Sequence, residues 1–146
     1  KWFDNKVPNY ENSNIDNTLE LYSKEAVGNF LKYFNSYELN LAANVILNLA
    51  INTNLYLNEK QPWLLIKDEN KISEVSNIIY NVLESTRIIG LLLLPLLPDL
   101  SSKIDIQLGS LYDKEKSWSK QLVWGILKNK SILPTPSPII EKLEYE

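Results

Sequence analysis

The chain of 146 residues contains no cysteine, no histidine and no methionine, and Arg87 is its single arginine. Without cysteine there are no disulfides, no thiol catalysis and no iron–sulfur or thiolate–zinc site. Without histidine, the commonest general base and metal ligand is missing as well. One arginine leaves few bidentate clamps for phosphate groups, so any nucleic acid would be bound through lysine, backbone amides and stacking.

Phosphate-binding loops and catalytic groups are equally scarce. The four glycines stand alone in the sequence and do not form a glycine-rich loop. Asp68 and Glu69 are a carboxylate pair or simply the acidic start of a helix. Ser117 and Lys120 match a Ser-x-x-Lys pattern, but its companion motifs are absent and we interpret the match as chance. The sequence therefore predicts no catalytic site and no metal site in this chain.

Charge is distributed unevenly. The net charge of −3 argues against the broad basic surface that general nucleic-acid binding requires. Residues 113–130 nevertheless carry five lysines against Asp113 and Glu115, a local charge of +3. This run is either a solvated face or a basic patch for a polyanion.

The longest apolar run, residues 88–97, has ten residues and includes Gly90 and Pro95. A helix that spans a membrane needs about 20 apolar residues. We therefore expect a buried core helix, and no membrane partner. The start of the chain has no signal-peptide pattern, so a cytoplasmic location is expected.

Helical periodicity dominates the chain, with apolar stripes predicting helices over about 17–35, 39–60, 72–94 and 98–108. Residues 1–6 look like the last turns of a helix, and residues 35–38 like a capped helix start. Three prolines after residue 133 make 128–146 an extended tail. The predicted fold is an all-α antiparallel bundle of four to five helices in one domain, residues 1–146.

Residues 54–67, which end in Pro-Trp and a lysine-containing apolar run, are the most informative stretch. Pro62 ends the preceding helix near Gln61. Trp63 then follows at the end of a rigid element. Its indole either packs into the bundle at a helix corner or is a platform on which a planar ligand stacks. Among such ligands a nucleotide base fits best.

The same stretch resembles the Asn-x-Tyr-(x)5-Pro-Trp-x-Leu-x-Lys pattern in the anticodon-binding domain of methionyl-tRNA synthetases. The matching residues are Asn54, Tyr56, Pro62, Trp63, Leu65 and Lys67. Lys1 to Asp4 is similar to the end of that family's first helix. Trp124-Gly125-Ile126-Leu127 and the Pro-x-Pro segment from Pro134 resemble the family's tail.

The resemblance implies the helical anticodon-binding domain of class I aminoacyl-tRNA synthetases. It implies that Trp63 contacts the anticodon and that Pro62, Lys67 and Asn54 belong to the same site. Lys67 either meets a phosphate or is solvated. Asn54, on the incoming helix, is expected to be structural. The family's Asn-x-x-x-Arg pair, which reads anticodon bases, would lie upstream of Lys1.

The resemblance also implies a parent enzyme, a methionine–tRNA ligase that uses ATP. Its catalytic domain would lie upstream, so this chain is expected to hold no cofactor and no catalytic site of its own. The expected partners are methionine-specific tRNA, through its anticodon loop, and the parent's own catalytic domain. A monomeric parent is expected, since no additional dimerising domain follows the tail.

Two alternatives remain open from the sequence. One is the equivalent domain of another class I synthetase, such as those for leucine, isoleucine, valine or cysteine, which generally lack the Pro-Trp block. The other is a helical protein-interaction module, which the net charge of −3 and the lone arginine favour.

Overall fold

The structure, a computed structural model, describes residues 2–10 and 16–140. The α-helices in these ranges are α1 (Thr18–Asn35), α2 (Leu39–Lys60), the single turn α3 (Pro62–Leu65), α4 (Ile72–Leu93) and α5 (Pro98–Gln107). Two 3₁₀ turns, Glu69–Lys71 and Ser119–Gln121, precede α4 and follow α5. No strand occurs in the described ranges, where an isolated antiparallel bridge joins Lys6 and Ile132. The predicted all-α bundle is confirmed.

Prolines fix the ends of the later helices. α4 ends at Leu93, two residues before Pro95, because a proline inside the helix would remove a hydrogen bond and clash with the preceding turn. α5 begins at Pro98, at a position where the missing N–H has no helical partner to lose. Leu97 lies between the helices and is 53% exposed, so the apolar run is not buried throughout.

α4 is the central helix and packs against α1, α2, α3 and α5. The main core cluster takes residues from α1, α2, α4 and the segment that follows α5: Ala26, Phe30, Ala42, Ile46, Leu49, Ile88, Leu91, Leu92 and Leu122. The hydroxyls of Thr53 and Ser85 lie 2.7 Å apart between α2 and α4. Since α4 is apolar around much of its circumference, it needs neighbours on every side.

Two local predictions are wrong. Residues 2–5 form a turn rather than the end of a helix, and Asp4 and Asn5 have positive φ angles of 51° and 54°, which a right-handed helix does not allow. At the start of α2, the N-cap residue Glu38 makes no side-chain capping bond. Tyr37, at φ 60°, reverses the chain there instead.

The described part of the tail, residues 128–140, contains no helix. It pairs with the start of the chain: Val7 N–H donates to the Ser131 carbonyl at 2.9 Å, and Leu133 N–H donates to the Asn5 carbonyl at 2.7 Å. Residues 141–146, also predicted as tail, lie outside the described residues. No helix within residues 2–10 and 16–140 has the length and hydropathy needed to cross a membrane.

Candidate nucleic-acid interface

The Pro-Trp element is a sharp junction between two helices. α2 ends at Lys60, Gln61 takes a left-handed conformation (φ 46°, ψ 55°), and α3 begins at once with Pro62. Gln61 N–H donates to the Leu57 carbonyl at 3.1 Å, and its own carbonyl accepts from Leu64 N–H at 2.9 Å. A left-handed residue is a common way to end a helix, and proline suits the first turn of the next one. The junction is therefore rigid.

The single turn of α3 separates buried from exposed side chains. Pro62 is buried, and Leu65 packs against a cluster formed by Leu19, Tyr56 and Ile78. Trp63 is 40% exposed and Leu64 is 51% exposed. The side chain of Trp63 is thus only partly packed against the bundle, while its backbone is fixed by the junction. An exposed aromatic face on a fixed backbone is suited to stacking.

Beneath the junction, Tyr56 anchors α2 through a partly buried polar network. Its hydroxyl donates to Asp16 Oδ2 at 3.1 Å and accepts from Asn81 Nδ2 at 3.4 Å. Lys60 Nζ lies 2.6 Å from the same Asp16 oxygen. Burial raises the pKa of Tyr56 above its usual range. Burial also opposes ionisation of Asp16, but the hydrogen bonds from Lys60 and Thr18 outweigh it and lower the pKa of that carboxyl.

The Trp-Gly segment, residues 124–127, is fixed by Glu84, which is fully buried on α4. The Glu84 carboxylate accepts from the backbone N–H groups of Gly125 at 2.8 Å, Ile126 at 3.0 Å and Leu127 at 3.2 Å. Gly125 has φ +88°, a conformation that side chains other than glycine rarely adopt. The glycine of the Trp-Gly pair is therefore needed for the turn that aims three N–H groups at one carboxylate.

Arg87, one turn after Glu84, completes this anchor. Its Nε and Nη2 donate to Glu84 Oε1 at 3.0 and 2.6 Å. Its Nη1 donates to the Gln121 carbonyl at 3.0 Å, and Nη2 also donates to the Val123 carbonyl. The lone arginine is 4% exposed, so it holds residues 121–123 and does not present its guanidinium to a ligand.

The other three tryptophans have different surroundings. Trp118 donates its indole N–H to the Leu91 carbonyl at 2.7 Å and meets Phe30 edge-on at 6.1 Å between ring centroids. Trp124 packs against the same cluster as Leu65. Trp2 is 43% exposed. Trp118 thus covers the bundle and Trp124 supports the element that carries Trp63.

Three of the four predicted site residues lie near one another because they are neighbours in the sequence. Pro62, Trp63 and Lys67 lie in and just after α3, whereas Asn54 lies on α2, about two turns before its end. The side chains of Asn54 and Lys67 are exposed, and neither forms a side-chain hydrogen bond or ion pair with a residue that the structure describes. Asn54 was expected to be structural, and its exposure gives no support to that role.

The Glu84–Arg87 anchor was not predicted from the sequence. The signal was present: two opposite charges stand three residues apart in a helix whose C-terminal half is otherwise apolar. Charges in such a position are rarely buried unless they are paired. For metal binding, no group of three or more candidate ligands occurs among residues 2–10 and 16–140.

The fold and the surface together define a helical bundle that presents a tryptophan at a rigid helix junction. Residues 7–146 match the family model of the anticodon binding domain of methionyl tRNA ligase, and the chain belongs to this family. The predicted family is confirmed. The match favours it over the equivalent domains of other class I synthetases and over an unrelated interaction module.

Relatives of known name agree with this assignment. The chain is 31% identical over 148 residues to the methionine–tRNA ligase of Bacillus subtilis, and the matched region covers all of this chain and 22% of the relative. It is 32% identical over 134 residues to the methionine–tRNA ligase of a Nostoc species, covering 88% of this chain and 25% of the relative. The chain therefore spans about a quarter or less of these relatives.

Solved structures show the same fold. The apo form of Mycobacterium tuberculosis methionyl-tRNA synthetase matches all of this chain and 29% of its own, with a TM-score of 0.87 and 26% identity. The same enzyme in complex with methionyl-adenylate matches 97% of this chain and 28% of its own, with a TM-score of 0.86 and 26% identity.

Proposed function

We propose that this chain recognises the CAU anticodon of methionine-specific tRNA, as the anticodon-binding domain of a methionine–tRNA ligase. The observation that carries the proposal is Trp63. In a chain that belongs to this family, the tryptophan of the Pro-Trp pair is 40% exposed on a backbone fixed between two helices.

The proposed chemistry is stacking of an unpaired anticodon base on the indole of Trp63. Bases of a single-stranded loop are free to stack on aromatic side chains, and each such contact contributes about 1–3 kcal/mol. The rigid Gln61–Pro62 junction lowers the conformational entropy that Trp63 loses on binding. Leu65 holds α3 against the cluster that includes Tyr56, and the Tyr56 network anchors the preceding helix α2.

The neighbouring residues take smaller roles in this proposal. Pro62 positions Trp63 by starting α3. Lys67, exposed and without an ion pair in the described part of the chain, is available to a phosphate of the same loop. Asn54, also exposed, lies on α2, the helix that precedes α3. It supplies amide hydrogen-bonding groups to the same RNA.

Catalysis belongs to the rest of the proposed ligase. Its relatives are about four to five times longer than this chain, as the 22–25% coverage implies. We propose that the parent joins methionine to tRNA with ATP as the co-substrate, and that this chain docks the tRNA against the parent's catalytic domain.

A charging assay tests the function of the parent. The full-length protein that carries this chain is incubated with ATP, tRNA and each amino acid in turn, and aminoacylated tRNA is measured. We expect product with methionine and not with leucine, isoleucine, valine or cysteine. Trp63→Ala should lower charging efficiency, since lost stacking of about 1–3 kcal/mol corresponds to about 5- to 150-fold. Product with leucine, or unchanged charging by Trp63→Ala, would contradict the proposal.

A further inference from the structure

The chain carries its charge in two unlike parts. Residues 113–130 have a net charge of +3, with Lys114, Lys116, Lys120, Lys128 and Lys130 against two acidic residues. The remaining residues hold ten basic and sixteen acidic side chains, a net charge of −6. A polyanion is repelled by most of this surface and attracted to one segment of it.

The lysines of this segment are largely uncommitted. Lys116 pairs with Asp113 at 3.0 Å. The ammonium groups of Lys114, Lys120, Lys128 and Lys130, here called the lysine row, form no ion pair with a residue of the described ranges, and all four side chains are exposed. Elsewhere, Lys24, Lys60 and Lys71 each have a carboxylate partner. Lys6, Lys32, Lys67 and Lys103 also form no ion pair with a residue of the described ranges, but they are spread over the rest of the chain, whereas the lysine row holds four such groups within residues 114–130.

The lysine row is fixed to α4 rather than carried on a loose tail. Four hydrogen-bonding contacts place the segment antiparallel to the helix. Trp118 bonds Leu91 at 2.7 Å, Gln121 bonds Arg87 at 3.0 Å, Gly125 bonds Glu84 at 2.8 Å and Leu127 bonds Tyr80 at 3.0 Å. From Leu91 to Tyr80 the helix rises about 16 Å. Lys120 lies within this anchored stretch, residues 118–127, and Lys128 and Lys130 follow it.

The anchored stretch passes beside the element that carries Trp63. Trp124 and Leu65 pack against the same cluster of Leu19, Tyr56 and Ile78. Lys120 and Lys128 each lie four residues from Trp124, so their Cα atoms are within about 14 Å of it even in a fully extended chain. The stacking surface and the lysine row therefore belong to one rigid frame.

We propose that the lysine row binds the sugar–phosphate backbone of the RNA whose loop base stacks on Trp63. The inference rests on the proposed function and extends it to a second contact area on the same RNA. The Pro-Trp element itself has little positive charge, because Asp68 and Glu69 follow Lys67 directly, and the one arginine is buried. Ammonium groups act as point charges on phosphates without reading sequence, so this surface contributes affinity and register, while Trp63 stacks the loop base.

Salt-dependent RNA binding tests the proposal. The full-length protein that carries this chain is titrated with a methionine anticodon stem-loop and with one of changed anticodon, from about 50 to about 200 mM salt. The triple variant Lys120→Gln, Lys128→Gln, Lys130→Gln is compared with Lys24→Gln, Lys32→Gln, Lys103→Gln, which changes the net charge equally on α1 and α5. A third variant replaces the first three lysines by arginine, which preserves their charge.

We expect the first variant to weaken the binding of both RNAs by the same factor. It should also reduce the slope of log affinity against log salt by about 2, since each phosphate contact contributes about 0.7. The arginine variant should keep the slope, and the α1/α5 variant should keep most of it. An unchanged slope in the first variant, or an equal loss in the α1/α5 variant, would overturn the lysine row as a contact area.

The same titrations separate this proposal from the proposed function. Trp63→Ala is titrated in the same way. If wild type prefers the methionine anticodon and Trp63→Ala abolishes the preference, while the Lys120, Lys128 and Lys130 glutamine variant binds normally, the backbone contact is contradicted and anticodon recognition stands. If wild type binds both RNAs alike and the slope still falls in the lysine variant, the backbone contact stands and anticodon recognition is wrong. Absence of binding to either RNA would contradict both.

Discussion

Glu84 and Arg87 lie one turn apart on α4, and the Arg87 Nη2 and Glu84 Oε1 atoms are 2.6 Å from each other in a pair that is 4% and 0% exposed. Together they bond five backbone groups of residues 121–127. The pair therefore links the central helix to the segment 121–127 that carries Trp124. The position of this segment beside the Pro-Trp element depends on the pair.

Replacing Glu84 tests this link. In Glu84→Gln the carboxylate is lost, Arg87 keeps a buried charge without a counter-ion, and three backbone N–H groups lose an ionic acceptor. Removing one partner of a buried pair costs about 3–5 kcal/mol, so the free energy of unfolding by urea should fall by about that amount. A loss below about 0.5 kcal/mol, the usual range for surface substitutions, would show that the anchor does not stabilise the fold.

Gly125 offers a test of the backbone turn. Its φ of +88° is strained for any side chain, although an added Cβ would meet nothing within 4 Å. Gly125→Ala should therefore destabilise by about 1–2 kcal/mol through backbone strain alone. Gly28→Ala is the matched control, because Gly28 is in α1 and its added Cβ also meets nothing within 4 Å. There the substitution should stabilise by up to about 1 kcal/mol, and equal effects at both positions would contradict the assignment.

Because the pKa of Tyr80 is raised in the folded chain, we expect the protein to lose stability at alkaline pH. Burial, with a smaller contribution from the negative charge of Glu84, raises the pKa of Tyr80 to about 12, against about 10 in an unfolded chain. The folded state keeps the phenolic proton where the unfolded state loses it, so this contribution is complete below pH about 10 and is lost as pH rises towards 12.

The measurement compares unfolding free energies of wild type and Tyr80→Phe between pH 8 and 11, a window set by the ordinary tyrosine pKa of about 10. The variant lacks the hydrogen bond to the Leu127 carbonyl and should be less stable at pH 8. Its stability should then fall less steeply above pH about 10 than that of wild type. Lysine deprotonation affects both proteins alike, so parallel curves would rule out a protonated Tyr80 as a source of stability.

Helix positions were predictable because local rules determine them. The predicted limits of α1, α2, α4 and α5 lie within a residue or so of those observed, since apolar periodicity and proline act over short distances. The end of α2 just before Pro62 was predicted too. The left-handed conformation of Gln61 was not, because residues before proline ordinarily favour extended geometry. Here the hydrogen bond from Gln61 N–H to Leu57 offsets that preference.

The candidate site was only partly predictable. Trp63 was singled out by its motif, and its partial exposure is a property of α3 packing against α4, which no local pattern encodes. The Glu84 anchor joins residues 41 to 43 positions apart, and such contacts depend on the assembled bundle. Asn54 matched the motif by sequence, yet its side chain is exposed without a described partner, so the motif alone did not define its surroundings.

Anticodon-dependent binding by Trp63 is the central claim, and a fluorescence titration at low salt tests it most directly. Wild type, Trp63→Ala and the control Trp2→Ala, which removes a similarly exposed tryptophan, are each titrated with the methionine anticodon stem-loop and with one of changed anticodon. We predict quenching and tighter binding with the methionine anticodon in wild type and Trp2→Ala. In Trp63→Ala both should be lost, with affinity for the methionine stem-loop lowered by about 1–3 kcal/mol. Equal binding of the two RNAs by wild type, or a preference that survives in Trp63→Ala, would contradict the account.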